Sequence, residues 1–285
     1  MRRIAVISKP QKNDLQTLLP ELVAWLRAKG FTPVLDPVSG SYIGTGDVVP
    51  RQEMAALNPE LVVVLGGDGT LLSAARAFAK TEVPILSVNL GSLGFLTEVR
   101  LKDLFVALDG WQKGTCRYDV RAMLHVELWR EGKLFSDYEA LNDVVVAKGA
   151  IARMGEFTIR LDGQKVASVR ADGMIVATPT GSTGYALAAN GPIVLANVNA
   201  MVVTPICPHL LTIRPLVVQG DAAIQLKVEG VPDQMYITVD GQEALLITVG
   251  DEVHCKRSQY NVRLIRVHEG GFFDVLRSKL SWGER

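Results

Sequence analysis

The sequence predicts an α/β fold joined to a β fold: an N-terminal doubly wound α/β domain followed by a β-rich C-terminal domain. Two observations carry this. Over the first hundred residues, short apolar runs alternate with segments of helical periodicity, the rhythm of βαβ units and a parallel sheet. From about residue 115, strand-like runs follow one another instead. Between them stand Glu131-Gly132, Asp162-Gly163 and Asp240-Gly241, dipeptides suited to hairpin turns because Gly tolerates positive φ. The expected domains are 1–115, completed by 270–285, and 116–269.

Taken in order, Ile4–Ile7 reads as a buried strand. Asp14 stands where it can cap a helix that puts Leu15, Leu18, Leu19, Leu22, Val23 and Leu26 on one face, with Gly30 ending it. Phe31–Leu35 is the next strand. Residues 36–50 carry prolines and glycines without periodicity and are expected to form a mobile loop. Leu61–Leu65 is a continuous Val/Leu run, as in a central parallel strand. Gly66-Gly67 breaks it, Leu71–Phe78 is expected to be helical, and Pro84–Val88 is another buried strand. In the second half Met123–Trp129, Val144–Ala147, Phe157–Leu161, Ile224–Val228, Met235–Val239 and Tyr260–Val267 favour β structure. One helix is expected from Ser182 to Ala189, stopped by Asn190-Gly191-Pro192. Phe272–Leu280 is expected to form a terminal helix returning to the first domain.

Composition narrows the function. The 285 residues are 48% hydrophobic and 21% charged, as in an ordinary globular protein. Thirty basic residues balance 30 acidic ones, which removes the bulk electrostatic argument for a nucleic-acid partner. Cys116, Cys207 and Cys255 form no C-x-x-C pair, and so sparse a set suits a reducing compartment. No apolar run approaches the length of a spanning helix, and the apolar stretch after Met1-Arg2-Arg3 is too short for a signal-peptide core. The expectation is a cytoplasmic protein without a membrane or nucleic-acid partner. His125, His209, His254 and His268 show no ligand spacing and are expected to be structural.

Chemistry concentrates in a few segments. Leu65-Gly66-Gly67-Asp68-Gly69-Thr70 follows a buried strand and precedes a helix, where ligands sit in open parallel sheets. Glycines admit a ligand close to the backbone, and Thr70 lies near a helix N-terminus that favours phosphate. Asp68 in such a loop needs a further task, such as holding a metal ion or accepting a proton from a hydroxyl nucleophile. The same residues would also serve a plain strand-to-helix turn with Asp68 as its cap. The loop is neither a Walker loop nor a G-x-G-x-x-G; Gly44-Thr45-Gly46 begins like the latter but lacks a preceding strand and a third Gly. The run from Arg170-Ala171-Asp172-Gly173 to Thr178-Pro179-Thr180-Gly181-Ser182-Thr183-Gly184-Tyr185 is rich in hydroxyls. These suit ribose and phosphate oxygens, and Tyr185 could stack on a base; a capped Ser/Thr turn is an equal alternative. Asn142-Asp143 could hold a ribose or an adenine edge, or form an Asx turn.

Together these segments, with Asn89-Leu90-Gly91-Ser92-Leu93-Gly94-Phe95-Leu96 and Pro205 to His209, resemble the NAD kinase family in its bacterial form. Gly-Gly-Asp-Gly-Thr alone is shared with diacylglycerol, sphingosine and 6-phosphofructo kinases; the Thr-Pro-Thr-Gly-Ser-Thr segment is more particular. The resemblance implies transfer of the ATP γ-phosphoryl group to the adenosine-ribose 2′-hydroxyl of NAD, with a divalent cation such as Mg²⁺ and ATP as co-substrate. It implies Asp68 as proton acceptor. It also implies nucleotide contacts at Gly66, Gly67, Gly69, Thr70 and Arg76, and at Asn142, Asp143, Arg153, Arg170 and Asp172. Further contacts are implied at Thr183, Gly184, Tyr185, Ala186, Leu187 and Ala188, and at Gln242, with no dedicated metal ligands. Asp143 stands where Glu is frequent, Gly184 where Ala is frequent, and Arg170 is typical of members favouring oxidised NAD. A homodimer or homotetramer is implied. The rival readings are a lipid kinase of the diacylglycerol type, which lacks support because no Gly-Thr-Gly-Asn-Asp-like segment follows the glycine loop, and a non-catalytic nucleotide sensor.

Overall fold

A computed structural model describes residues 1–44, 47–91, 94–97, 99–149, 153–230, 234–267 and 272–282. Thr45 and Gly46, Ser92 and Leu93, and His268 lie outside the described residues. The chain forms two compact units, Met1–Val120 with Val262–Arg285, and Arg121–Asn261.

The first unit contains β1 (Arg3–Ser8), α1 (Leu15–Ala28), β2 (Thr32–Leu35), α2 (Pro37–Ile43) and β3 (Asp47–Val48). It continues with α3 (Arg51–Met54), β4 (Leu61–Gly66), α4 (Asp68–Ala77), β5 (Ile85–Asn89), β6 (Val99–Arg100) and α5 (Leu104–Gln112). Its strands run parallel in the order β5-β4-β1-β2-β3, with Val6 opposite both Val63 and Leu35. β4 and β5 are buried throughout, so they read as unbroken apolar runs rather than alternating ones. Leu15, Leu19, Leu22 and Leu26 of α1 and Leu104 and Leu108 of α5 join Ile4, Val6, Val63 and Leu86 in one core. α4 packs on β4 and β1 with Leu71, Leu72, Ala74 and Ala75 buried. The sheet order reverses between β1 and β4, and the site described below opens at that point.

Two expectations are corrected here. Residues 36–50 are not a loop throughout: Asp36 caps α2 by accepting from Ser39 N at 2.8 Å, Pro37 opens the helix, and Gly44 closes it at φ 73°. Asp36 is fully buried and paired with Arg51, whose guanidinium also donates to Ser8 O at 2.8 Å and Ser73 Oγ at 3.2 Å. That network ties α2, α3, β1 and α4 together. Asp14 precedes α1, but its side chain makes no capping bond; its own backbone is already helical, so its side chain is not directed at the first-turn N–H groups.

The chain leaves the first unit within β7 (Arg117–Arg130). The second unit then holds β8 (Lys133–Ala140), β9 (Asp143–Lys148), β10 (Gly155–Leu161), β11 (Gln164–Ala171) and β12 (Gly173–Ala177). After a 3₁₀ turn at Gly181–Thr183 come α6 (Tyr185–Ala188), β13 (Ala200–Ile206), β14 (Leu216–Gln219), β15 (Ile224–Gly230), β16 (Met235–Val239) and β17 (Glu243–Ile247). β18 (Glu252–Arg266) returns to the first unit, where α7 (Phe272–Leu280) ends the described helices. One antiparallel sheet runs β14-β13-β12-β9-β16-β17; against it packs a layer containing β11-β10-β15-β18 and β7. Val144, Val146, Met174, Val176 and Ile237 meet Leu124, Phe157, Leu226 and Val228 in the core between them. All three Xaa-Gly hairpin turns form, with positive φ at both residues of Glu131-Gly132, Asp162-Gly163 and Asp240-Gly241. The helix expected over 182–189 is instead the 3₁₀ turn plus the single turn of α6, interrupted at Gly184, whose φ −94° and ψ −131° are not helical.

Candidate active site

In the first unit, the site grows from the ends of β1 and β4. Lys9 N donates to Leu65 O at 2.8 Å, which keeps the two strand ends together at the point where the sheet order reverses. α4 begins at Asp68, three residues earlier than its apolar periodicity indicates, so Asp68, Gly69 and Thr70 form its first turn. The Asp68 carboxylate accepts four hydrogen bonds from one short segment. Oδ1 takes Leu96 N at 3.2 Å, Thr97 N at 3.1 Å and Thr97 Oγ1 at 3.0 Å; Oδ2 takes Phe95 N at 2.9 Å. Asn89, at the end of β5, donates to Thr97 Oγ1 at 2.9 Å and accepts Gly91 N at 2.7 Å. A Cβ on Gly94 would collide with Asp68 Oδ1, which is why the segment that wraps this carboxylate carries glycine there. A carboxylate offers roughly four lone-pair sites, two on each oxygen. Oδ1 is therefore saturated, and Oδ2 keeps one acceptor position.

Around this carboxylate opens a cavity of about 330 Å³, lined by Gly66, Gly67, Asp68, Gly91, Gly94 and Thr97 together with Lys9, Lys12 and Lys279. A side chain on Gly66 would collide with Thr70, whereas a Cβ on Gly67 would meet no described atom within 4 Å beyond its two chain neighbours. Gly69 is exposed, and Arg76, on α4, is half-buried.

In the second unit, Asn142 and Asp143 lead into β9. Their backbone is held by Asp240 of the β16–β17 turn, whose carboxylate accepts Leu141 N at 3.1 Å, Asn142 N at 2.8 Å and Asp143 N at 3.2 Å. The turn is thus fastened from outside, not by an Asx bond of Asn142, whose Oδ1 is buried without a hydrogen-bond partner. Asp143 is only 5% exposed, and burial, then the nearby negative charge of Asp240, pushes its carboxyl up to about 7. A Cβ on Gly184 would lie 3.5 Å from Asn142 Nδ2 and 3.8 Å from Asp143 Oδ2, so the break before α6 lies against both polar side chains.

The hydroxyl-rich segment divides between fold and surface. Thr178 Oγ1 donates to Leu141 O at 2.6 Å, Ser182 Oγ donates to Pro179 O at 2.6 Å and accepts Val194 N at 3.0 Å, and both residues are buried. Thr180 Oγ1 accepts from Arg121 at 3.3 Å, and Thr183 Oγ1 donates to Thr180 O at 3.2 Å. The capped turn is therefore real, and Ala186 packs under it against Val145, Ile175 and Val202. Tyr185 is 48% exposed; Leu187 is half-buried and Ala188 exposed. Asp172 pairs with Lys148 at 2.8 Å, and Arg170 pairs with Glu156 at 3.3 Å on the surface. Arg153 and Gln242 are exposed. His125 lies between Glu139 and Glu127, and His254 beside Glu252; His209 N donates to Arg170 O. Among the described residues, no group of three or more His, Cys, Asp or Glu side chains stands ready to hold a metal ion.

The structure thus brings together Asn142, Asp143 and Gly184 in one unit, and the glycine loop with residues 89–91 and 94–97 in the other. Sequence reasoning missed Asp240, because an Asp-Gly dipeptide already had a sufficient explanation as a turn. It also missed Thr97 and the three lysines, which no local spacing links to the loop.

Residues 4–115 match the ATP-NAD kinase N-terminal domain, and residues 141–267 match the ATP-NAD kinase C-terminal domain. The chain belongs to the NAD kinase family. Relatives within that family include an NAD kinase of Acidobacterium capsulatum, 65% identical over 285 residues, and one of Koribacter versatilis, 47% identical; both alignments cover the whole of each chain. An NAD kinase from Archaeoglobus fulgidus, solved in complex with ATP, is 26% identical, with a TM-score of 0.76 over 99% of this chain and 100% of that one. Yeast NADH kinase, solved with NADH, shares the family fold at a TM-score of 0.92 and 24% identity, over 100% of this chain and 89% of that one.

Proposed function

We infer that the protein is an NAD kinase: it transfers the γ-phosphoryl group of ATP to the adenosine-ribose 2′-hydroxyl of NAD, giving NADP and ADP. Full-length relatedness to NAD kinases supports the overall reaction. The observation that carries the mechanism is the Asp68 carboxylate at the mouth of the glycine loop, fixed through Oδ1 and with acceptor capacity left on Oδ2.

A ribose hydroxyl is a poor nucleophile near neutral pH, and a positioned carboxylate that takes its proton is worth roughly 10²–10⁴-fold. In this reading the 2′-oxygen attacks the γ-phosphorus, its proton passes to Asp68 Oδ2, and the bond to the β-phosphate oxygen breaks to release ADP. The rest of the rate comes from alignment and charge neutralisation. Gly66, Gly67, Gly69 and Thr70 receive the ATP phosphates, with Arg76 as a further nucleotide contact. Asn142 and Asp143 hold the NAD ribose and base. Arg153, Arg170, Asp172, the segment 183–188 and Gln242 complete the dinucleotide contacts. The described donor set around the glycine loop does not fit a protein-held metal: Asp68 is its single carboxylate, with Oδ1 filled by residues 96 and 97 and one acceptor position left on Oδ2, and its other charged groups are lysines. Mg²⁺ is therefore read as part of the ATP substrate, as is common for that ion.

The enzyme is further placed in the cytoplasm, as a homodimer or homotetramer. The location is supported by three cysteines that form no disulfide with one another, the assembly by family resemblance alone. The reaction is tested by incubating the protein with NAD, ATP and Mg²⁺ and detecting product with a dehydrogenase specific for NADP. NADP formation is expected; binding of both nucleotides without NADP would instead support a sensor.

A further inference from the structure

Three lysines from distant parts of the chain line the cavity at the glycine loop. Lys9 follows β1, Lys12 lies three residues on, and Lys279 stands on α7, more than 260 residues later. Each is positioned by its backbone. Lys9 is tied to Leu65 O, and its Cβ lies 3.2 Å from where a Cβ on Gly66 would be. Lys12 N donates to Tyr42 Oη at 3.0 Å, and the α7 backbone is anchored through buried Val275 and Leu276. Among the described residues none of the three pairs with a carboxylate within 4.0 Å, unlike Lys29, Lys148, Lys227 and Lys256, which do. Among the described lining residues Asp68 is the one carboxylate, and it has its bonds to residues 95–97.

A cavity lined by three lysines that pair with no carboxylate among the described residues, with glycine backbone and the N-terminus of the ten-residue α4, suits a compact, multiply negative ligand. Its volume of about 330 Å³ is at the small end for a nucleotide pocket and suits an oligophosphate better than a base. Lysine is a point-charge phosphate binder with freely rotating donors, matched to a chain of phosphates whose oxygens move during transfer. We propose that Lys9, Lys12 and Lys279 clamp the triphosphate of the phosphoryl donor, so that the C-terminal helix supplies a specificity-determining contact to the donor site. The proposal rests on the ATP-dependent reading above.

The test uses the full chain and the variants Lys12→Ala, Lys279→Ala and Lys279→Arg, with melting temperatures recorded for each. Lys12 and Lys279 are chosen because both line the cavity and neither belongs to the core. Each alanine variant is expected to raise the KM for ATP by about 10-fold or more, the effect of one lost charge-assisted hydrogen bond. The KM for NAD should stay within about 2-fold, and Lys279→Arg should recover part of the loss. Inorganic tripolyphosphate should compete with ATP for the native protein, and should compete less well in both alanine variants. An unchanged KM for ATP in folded variants, or a rise confined to the KM for NAD, would overturn the clamp while leaving the kinase reading intact. Absence of any NADP formation by the native protein would instead remove the reading on which the clamp rests, and tripolyphosphate binding would then decide the clamp alone.

Discussion

Asp68 and Asp143 are both carboxylates at the start of an element, and their surroundings treat them oppositely. Asp68 receives four hydrogen bonds from residues 95–97, whereas Asp143 is enclosed beside Asp240. The consequence for Asp143 is a pH dependence with a definite sign. Below its ordinary value of 3.8 it is neutral whether the chain is folded or unfolded. Between 3.8 and about 7 the folded protein holds the proton that the unfolded chain releases, so stability falls as pH rises through that window. Above about 7 the full cost of the buried charge is present. Asp143→Asn should therefore gain stability relative to the native chain between pH 4 and pH 7, by an amount on the order of a few kcal/mol, and hold that gain at higher pH. Paired urea titrations across this range check it; a difference independent of pH would show that Asp143 is not the titrating group. At this scale the sequence made Asp68 and the pair Asn142-Asp143 conspicuous. Asp240, which fastens that pair, was hidden because the same residue also explains a turn.

Elements differ in how far their own residues determine them. β16 and α7 begin and end where their apolar patterns do, because periodicity and turn residues agree. α2 was illegible: seven residues with two small side chains and a central glycine show no apolar face, and the helix depends on Asp36, whose partner Arg51 comes from α3. α5 was likewise passed over, and the 182–189 helix is divided at Gly184, where Asn142 and Asp143 come close. The glycine loop yields a paired prediction. Gly66→Ala should lower the melting temperature by several degrees, because its Cβ meets the short, poorly mobile Thr70 side chain. Gly67→Ala should leave the melting temperature within about a degree yet weaken ATP binding, since a Cβ there has open space around it and would face the phosphates in the proposed reading. Thermal melts and nucleotide titrations on both variants check this; equal ATP affinity for native protein and Gly67→Ala would place the phosphates elsewhere.

Across the whole molecule, fold class was the most legible property, because a parallel sheet and a hairpin-rich sandwich leave different rhythms in a chain. The first unit takes its strands from the N-terminal 120 residues and closes with the end of β18 and α7. Long-range convergence was not legible: nothing in the spacing of Lys9, Lys12 and Lys279 places them at one cavity, since only the folded path of β18 and α7 brings the last of them there. The family assignment spans both units and the relatives' full length, which ties the reaction to the entire chain rather than to one motif. What remains particular to the proposed mechanism is the proton acceptor. The most direct measurement is a single-turnover rate with NAD and ATP pre-bound, in native protein and in Asp68→Asn, with occupancy of both sites verified by titration. The amide must set a donor against a donor from residues 95–97, so a stability loss of about 1 kcal/mol is expected and is read separately by melting. The account predicts intact binding and a transfer rate lower by roughly 10²–10⁴. A near-native rate in folded, fully occupied Asp68→Asn would contradict it and leave Asp68 as the anchor of residues 95–97 alone.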